Sequence, residues 1–460
     1  MTATELIPRL GEMRGRVIQP GDAEYDGARA VFYGGFDHRP AVIVRAADAE
    51  DVSRVISLAR DSGLELAVRS GAHSLAGHGT TDEGIVLDLS DMRALELDAE
   101  SRTAWVQPGL TAGEYSEAAA AHGLATGFGD AGTVGIGGIT VGGGVGYLVR
   151  KHGLTIDSLL AADVVTADGE LLHVDETTHP DLFWAIRGGG GNFGVVTRFR
   201  FRLHPVGTIV GGMLLLPGTP EVVAGFVAEA EAASEELSAI INVMPTMPMP
   251  MVPEEHHGTL SVMALLCYAG DVEAGERAVA PFRALAPALA DTVAPMPYPG
   301  LFSMFEEPEA EEAAHPLATH RSMFVDSIDL GVAERIVANL EAHDAMMPAA
   351  QIRVLGGAAA RVPVEATAYA HRRSRIMVTV AAVYEDPGES ARHEAWVTGF
   401  ADTLRQDDAG VYVNFLGDEG DAAIRRAYPA ATWDRLVEIK GRYDPANLFR
   451  LNQNIPPVSP

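Results

Sequence analysis

One cysteine and two lysines stand among 460 residues, and both scarcities exclude function classes. The lone thiol, Cys267, rules out an internal disulfide framework and every cysteine-rich metal centre, and no other metal site is expected. It lies in LSVMALLCYAG, where a buried strand residue is expected rather than a nucleophile. Positive charge is also sparse: 34 Lys and Arg against 63 Asp and Glu leave a net charge of −29. Such a surface repels nucleic-acid phosphates and anionic membranes, so neither is an expected partner, and solubility is reason enough for the acidity. No apolar run approaches the length of a membrane span, and MTATELIPRLGEMRGRVIQP lacks an apolar core of signal-peptide length. A cytoplasmic protein is expected.

Glycine, by contrast, is plentiful, and half of the stretch 127–146, GFGDAGTVGIGGITVGGGVG, consists of it. Glycine weakens helices and strands, so a globular chain concentrates it where backbone must pass close to something. A glycine-dense loop bares a row of backbone N–H groups, and such nests bind phosphate oxygens. The dinucleotide fingerprint G-x-G-x-x-G occurs at Gly127, Gly129 and Gly132 and again at Gly189, Gly191 and Gly194. Neither follows a strand and opens a helix as a Rossmann turn must. A phosphate-bearing cofactor held by another architecture is the reading that remains.

Before the glycine stretch, AVIVRA (41–46), ELAVRS (65–70), IVLDLS (85–90) and RTAWVQP (102–108) read as strands, and 47–63 has helical apolar spacing. Thr111 and Glu114 form a capping box opening a helix that stops at Gly123. After it, 162–174 reads as a hairpin turning at Asp168-Gly169, followed by a short helix in HPDLFWAIR and an alternating strand in VVTRFRFRL. From 208 the strand candidates SAIINVM, TLSVMALLCYA, QIRVLGG, RIMVTVAAVYE and VYVNFL are interspersed with amphipathic helices at 219–237, 271–287, 331–346 and 388–406. That pattern predicts an antiparallel sheet backed by helices. Three parts follow: 1–207 with its core from about 36, 208–417, and a segment 418–460 that returns to the first domain.

Four spaced motifs occur in order: VRSGAHSLAGHG (68–79), GTVGIGGITVGGGVGYLVRKHG (132–153), DLFWAIRGGGGNFGVVTRF (181–199) and YVNF with IKGRYDPANLFRLNQNI (412–455). Together they resemble the berberine bridge enzyme-like branch of the FAD-linked oxidases, within the vanillyl-alcohol oxidase type of flavoprotein. The resemblance implies an α+β fold: a two-subdomain FAD-binding domain of that type plus an α+β substrate domain whose antiparallel sheet covers the flavin ring. It implies that Arg69, Ser70, Gly71, Ala72, His73 and Ser74, with Thr133, Val134, Gly137, Gly138, Thr140, Gly142 and Gly143, wrap the FAD pyrophosphate. Gly190 to Val196 would lie on the adenine side, and Asn452 would belong to the returning tail.

His73 matches the histidine that this family joins to the 8α carbon of the flavin, and a neutral imidazole is a competent nucleophile. From spacing alone, a histidine merely hydrogen-bonding in a tight loop is the alternative, and His78 is assigned to loop packing. Many relatives carry a second, cysteinyl link in a C-x-T-V-G pattern. Here Ala131 stands at that position, so a single covalent attachment is implied. Val134 falls where relatives use a small residue to admit dioxygen, which favours an oxidase releasing hydrogen peroxide.

The implied substrate is a small organic, secondary-metabolite-like molecule that loses a hydride from an alcohol or amine carbon. The partners are then substrate and dioxygen, and the particle a monomer or homodimer. Tyr412, in Tyr-x-Asn, is the first candidate for the base, with Asn414 on the same face of an expected strand. A phenol titrates near ~10, so it needs a positive neighbour, and Arg353 or Arg361 are the candidates on an expected 351–361 strand. Gln351 and these arginines stand where relatives tend to carry acids. Tyr412 reads equally well as a core-edge aromatic, and His371 as either a weaker candidate base or a structural histidine. Met244, Met247, Met249 and Met251, interleaved with prolines, read as a soft apolar lip or as ordinary packing. Lys151 and Lys440 are expected to make defined packing contacts. A dehydrogenase with another acceptor and a catalytically silent flavin-binding protein are the alternative functions.

Overall fold

The computed structural model describes residues 3–305 and 316–458. In its first sheet Val42–Arg45, Ile85–Asp88 and Leu66–Arg69 run parallel. The first three residues of each strand are apolar because both faces are covered: helix Ala49–Ser62 packs on one and Tyr25 and Ala28 on the other. The Asp48 carboxylate caps that helix by accepting from the N–H groups of Glu50 and Asp51.

The expected start of the domain near residue 36 is too late. Strand Arg16–Ile18 pairs antiparallel with Val42–Arg45, and Leu6 and Leu10 join the core beside it. Asp51 explains the early start: its buried carboxylate accepts from the N–H groups of Arg14 at 3.1 Å and Gly15 at 2.8 Å.

A second, antiparallel sheet of five strands has the order Leu95–Asp98, Thr103–Val106, Val195–Arg202, Leu159–Val165, Leu171–Asp175. The last two form the hairpin expected at Asp168-Gly169, with Gly169 at φ +85°. The capping box at Thr111 and Glu114 is present in both directions and opens helix Ala112–Ala120.

Beyond Thr208 the chain builds an eight-stranded antiparallel sheet. Its six long strands lie in the order Thr208–Pro217, Leu260–Tyr268, Leu237–Pro245, Met347–Val354, Ile376–Tyr384, Leu317–Val325. Helices Pro220–Ala232, Val272–Arg283, Leu330–Glu341 and Ser390–Leu404 bury their apolar sides on one face. The α+β architecture expected from the sequence is therefore present. Three details differ. Thr208–Pro217 and Leu317–Val325 are strands absent from the expectation. The 351–361 strand ends at Val354, giving way to the short helix Gly357–Arg361. VYVNFL is not a strand: Val413–Phe415 is a single 3-10 turn, because its backbone N–H groups close locally on Tyr412 and Val413.

The closing segment returns to the first domain. Helix Ala430–Tyr443 carries Lys440, whose fully buried ammonium donates to the carbonyls of Asn192 at 2.8 Å and Phe449 at 3.0 Å and pairs with Asp444 at 2.7 Å. Asp444 in turn accepts from the N–H groups of Leu448 and Phe449. The chain's second lysine, Lys151, donates to the Ala269 carbonyl and so joins the glycine-loop domain to the large sheet. Replacing Lys440 by Met should leave Asp444 buried without its cation and lower the unfolding free energy by about 3–5 kcal/mol. A urea midpoint unchanged by Lys440→Met would contradict that role.

Candidate active site

Two backbone segments meet at the front of the first domain. Strand Leu66–Arg69 delivers Ser70 to Ser74, and residues 131–135 lead into helix Ile136–Gly142. They approach so closely that a Cβ on Gly135 would collide with the Gly71 backbone nitrogen and Ser70 Oγ. Ser70 Oγ donates to the Pro108 carbonyl at 2.5 Å, fixing the loop from behind. Ala72 is turned into the left-handed region at φ +56° and accepts from the Phe32 N–H at 3.1 Å.

That turn presents His73. Its ring stacks on Phe32 with centroids 4.0 Å apart and hydrogen-bonds to the Thr133 backbone. Burial pushes its pKa down to about 4, so the imidazole is neutral at pH 7. Thr133 and Gly138 are exposed beside it, with open space where a Gly138 side chain would be. The first-turn N–H groups of Gly137 and Gly138 have no acceptor within their own helix.

Several side chains expected at the cofactor point elsewhere. Arg69 turns inward to Asp88 at 2.8 Å and to the carbonyls of Ala28 and Ala30, because the buried Asp88 carboxylate requires a cation. Thr140 back-bonds to the Ile136 carbonyl of its own helix at 2.6 Å. Val196 is buried in its strand opposite Val164. Ser74 Oγ accepts from the His78 N–H at 3.4 Å, and His78, also held neutral by burial, packs in the loop. In the 190–196 segment it is Asn192 that acts, bonding to Gly189, Gln453 and Ile455 and so seating the tail.

Tyr412 and Asn414 come together without a strand. Gly142 makes room for Asn414, since a Cβ there would strike Asn414 Oδ1. The buried Tyr412 hydroxyl accepts from Gly144 N at 2.7 Å and Asn414 Nδ2 at 2.9 Å. Burial pushes the phenol up to about 12, and Arg353 offsets this only partly. The shift is opposite to what a base at neutral pH requires. Arg361 plays no part, being exposed and paired with Glu235 at 2.5 Å. His371 is structural: Nε2 bonds the Arg426 and Ala427 carbonyls at 2.9 and 3.1 Å.

Sequence reasoning missed Asp130. Its carboxylate pairs with Arg353 and raises the pKa of the half-buried Tyr33 phenol beyond the effect of desolvation. This bridge joins the glycine loop to the large sheet, and nothing in the pattern around residue 130 marks it. Of the methionines, Met244 is buried in the main core, Met247 and Met249 are half-buried against it, and Met251 is exposed.

These residues fit FAD. Two backbones pressed together at Gly71 and Gly135, an exposed first-turn backbone at Gly138, and a neutral His73 suit a diphosphate and a flavin ring. At the tail, the Oδ1 atoms of Asn452 and Asn454 are buried and, among the described residues, lack partners, as acceptors reserved for a ligand would. Cys267 is fully buried in strand Leu260–Tyr268, where burial pushes its thiol up to about 12.

Comparison with known proteins agrees. Residues 40–175 match the FAD binding domain family, and 411–456 match the berberine and berberine-like family. The chain is 29% identical to (R)-6-hydroxynicotine oxidase of Paenarthrobacter nicotinovorans, covering 97% of both chains. It is 31% identical to the FAD-linked oxidoreductase YvdP of Bacillus subtilis, over 97% of this chain and 99% of that one. It superposes on the xylooligosaccharide oxidase of Myceliophthora thermophila with a TM-score of 0.85 at 25% identity, covering 99% of this chain and 100% of that one. The protein belongs to the berberine bridge enzyme-like family of FAD-linked oxidoreductases. Among the described residues no helix is long and apolar enough to cross a membrane.

His73, His78 and His320 all have folded-state pKa values near about 4 against an ordinary 6.5, with burial the first cause in each. Between these values the unfolded chain binds more protons, so stability rises with pH across that window. Their contribution is complete above about pH 6.5 and drains as pH falls toward 4. Thermal midpoints should drop steadily from pH 7 to 4.5, and a flat profile would contradict the assignment.

Proposed function

We propose that the protein is an oxidase holding FAD by one covalent bond from His73 and using dioxygen to reoxidise it with release of hydrogen peroxide. The observation that carries this reading is the state of His73: neutral, stacked, and oriented by the Thr133 backbone beside a strand-to-turn junction stripped of side chains. A neutral ring with one nitrogen engaged keeps a lone pair on the other, the form a nucleophile needs. Bound FAD supplies the two-electron acceptor.

The chain's own residues do the rest. Tyr412 accepts from the backbone N–H groups of Gly144 and Val145 and from Asn414 Nδ2, and among the described residues no acceptor takes its own hydroxyl hydrogen. Held protonated by burial, it acts as a donor rather than as a base, and Asn414 fixes its direction. Val134 keeps a small side chain on the loop beside His73, which supports access of dioxygen. The substrate is a small organic alcohol or amine, consistent with a relative named for a hydroxynicotine.

The tether is tested by precipitating the protein in acid. The parent should keep its yellow colour in the pellet, and His73→Ala should release it; colour in the parent's supernatant would sink the covalent link. The acceptor is tested by measuring peroxide against substrate consumed. About one peroxide per turnover supports the oxidase, whereas turnover only with an added quinone identifies a dehydrogenase.

A further inference from the structure

The large sheet turns its helix-free face toward the glycine loop, and cross-strand register sorts that face into rows. Nearest the loop run Ile240, Arg353, Met377 and Phe324, all buried, with Met377 and Phe324 packed in one cluster with Tyr412. Two residues further along the strands lies a row of a different kind: Asn242, Gln351, Thr379 and Ser322. Beyond it come Ala349, Ala381 and His320, and then Met347 and Val383.

The second row is polar on a face that is otherwise mostly apolar. Asn242, Gln351 and Thr379 are half-exposed although they sit in mid-sheet, while the neighbours that alternate with them are buried against the helices. The row is internally bonded. Gln351 Nε2 donates to Asn242 Oδ1 at 2.9 Å, Arg353 donates to Gln351 Oε1, and Thr379 Oγ1 donates to Ser322 Oγ at 3.3 Å. Each amide keeps spare capacity, since a glutamine or asparagine offers two N–H donors and two lone pairs. In the next row the alanines are half-exposed and small, leaving the floor low. At its end the buried His320 bonds to the Phe415 backbone, and among the described residues its Nε2 has no partner.

Charge is the deciding feature. Among the described residues these strands place one formal charge on that face, Arg353, and Asp130 neutralises it from the loop. His320 is neutral at pH 7. An ion bound over this row is desolvated without a counterion, whereas a neutral polar group finds donors and acceptors ready. We propose that Asn242, Gln351 and Thr379 form the recognition ledge for the substrate. The ledge takes an uncharged molecule, its flat apolar body seated over Ala349 and Ala381 and its carbonyl, hydroxyl or amide turned to the row. This inference rests on the oxidase reading above, and it narrows that reading from alcohols and amines to neutral oxygen-bearing compounds.

The test uses the flavin-loaded protein and three probes that share one ring: acetophenone, benzylammonium and benzoate. Affinity is read from the change in visible flavin absorbance and, independently, from thermal shift. Acetophenone should bind at least about tenfold more tightly than either ion. Gln351→Leu should weaken acetophenone about tenfold. Gln351→Glu, nearly identical in shape, should keep the flavin and reverse the preference toward benzylammonium. Binding of either ion as tight as acetophenone overturns the ledge, as does failure of all three probes or indifference to both substitutions. A chain that takes up no FAD sinks the oxidase instead, while a yellow protein that prefers an ion sinks the ledge alone.

Discussion

The structure depends on two strips of main chain being allowed to touch. Between Ser70 and Gly71 on one side and Gly135 on the other there is no room for a Cβ on either glycine. That contact sets the distance between the parallel sheet, which ends at Arg69, and the helix that starts at Ile136. His73 follows within one turn and meets the Thr133 backbone, so its ring inherits its position from the contact. The same economy recurs further along the loop, where Gly142 and Gly144 admit Asn414 and Thr155. Glycine is dense here because side chains from the other segments occupy the space its own would fill.

Burial then decides the chemistry of what the contact positions. His73 is half-buried and Tyr412 buried, and desolvation drives both to their neutral forms. For the imidazole this is the nucleophilic form. For the phenol it is the protonated form, which donates a hydrogen bond rather than taking up a proton. The Asp130–Arg353 bridge closes the site by tying the loop to the sheet, and it removes the one charge that the sheet face would otherwise offer.

Much of this was legible in the residues, for physical reasons that can be named. The glycine run announced a close approach because glycine has no other use at that density. The Thr111–Glu114 box and the Asp168-Gly169 turn were readable because local hydrogen bonds define them. Reading failed where partners are distant in sequence. That the Arg69 side chain turns inward to Asp88 was not visible in the motif that carries it. The 412–416 segment looked like a strand because its apolar pattern was real, but its polar atoms are spent on the glycine loop and on local turns. Strands Thr208–Pro217 and Leu317–Val325 have ordinary compositions and become strands by pairing with Leu260–Tyr268 and Ile376–Tyr384. The polar row of the sheet is invisible without register, since its members lie more than 130 residues apart at the extremes.

The central claim is that main-chain contact between these two strips builds the cofactor cradle, and the flavin content of Gly135→Ala tests it most directly. A methyl group at that position must push the 70–74 loop away from residues 133–135 while leaving both sheets intact. The account predicts a protein with the parent's circular dichroism that purifies with little or no bound FAD. A Gly135→Ala protein that is folded and as yellow as the parent would contradict it.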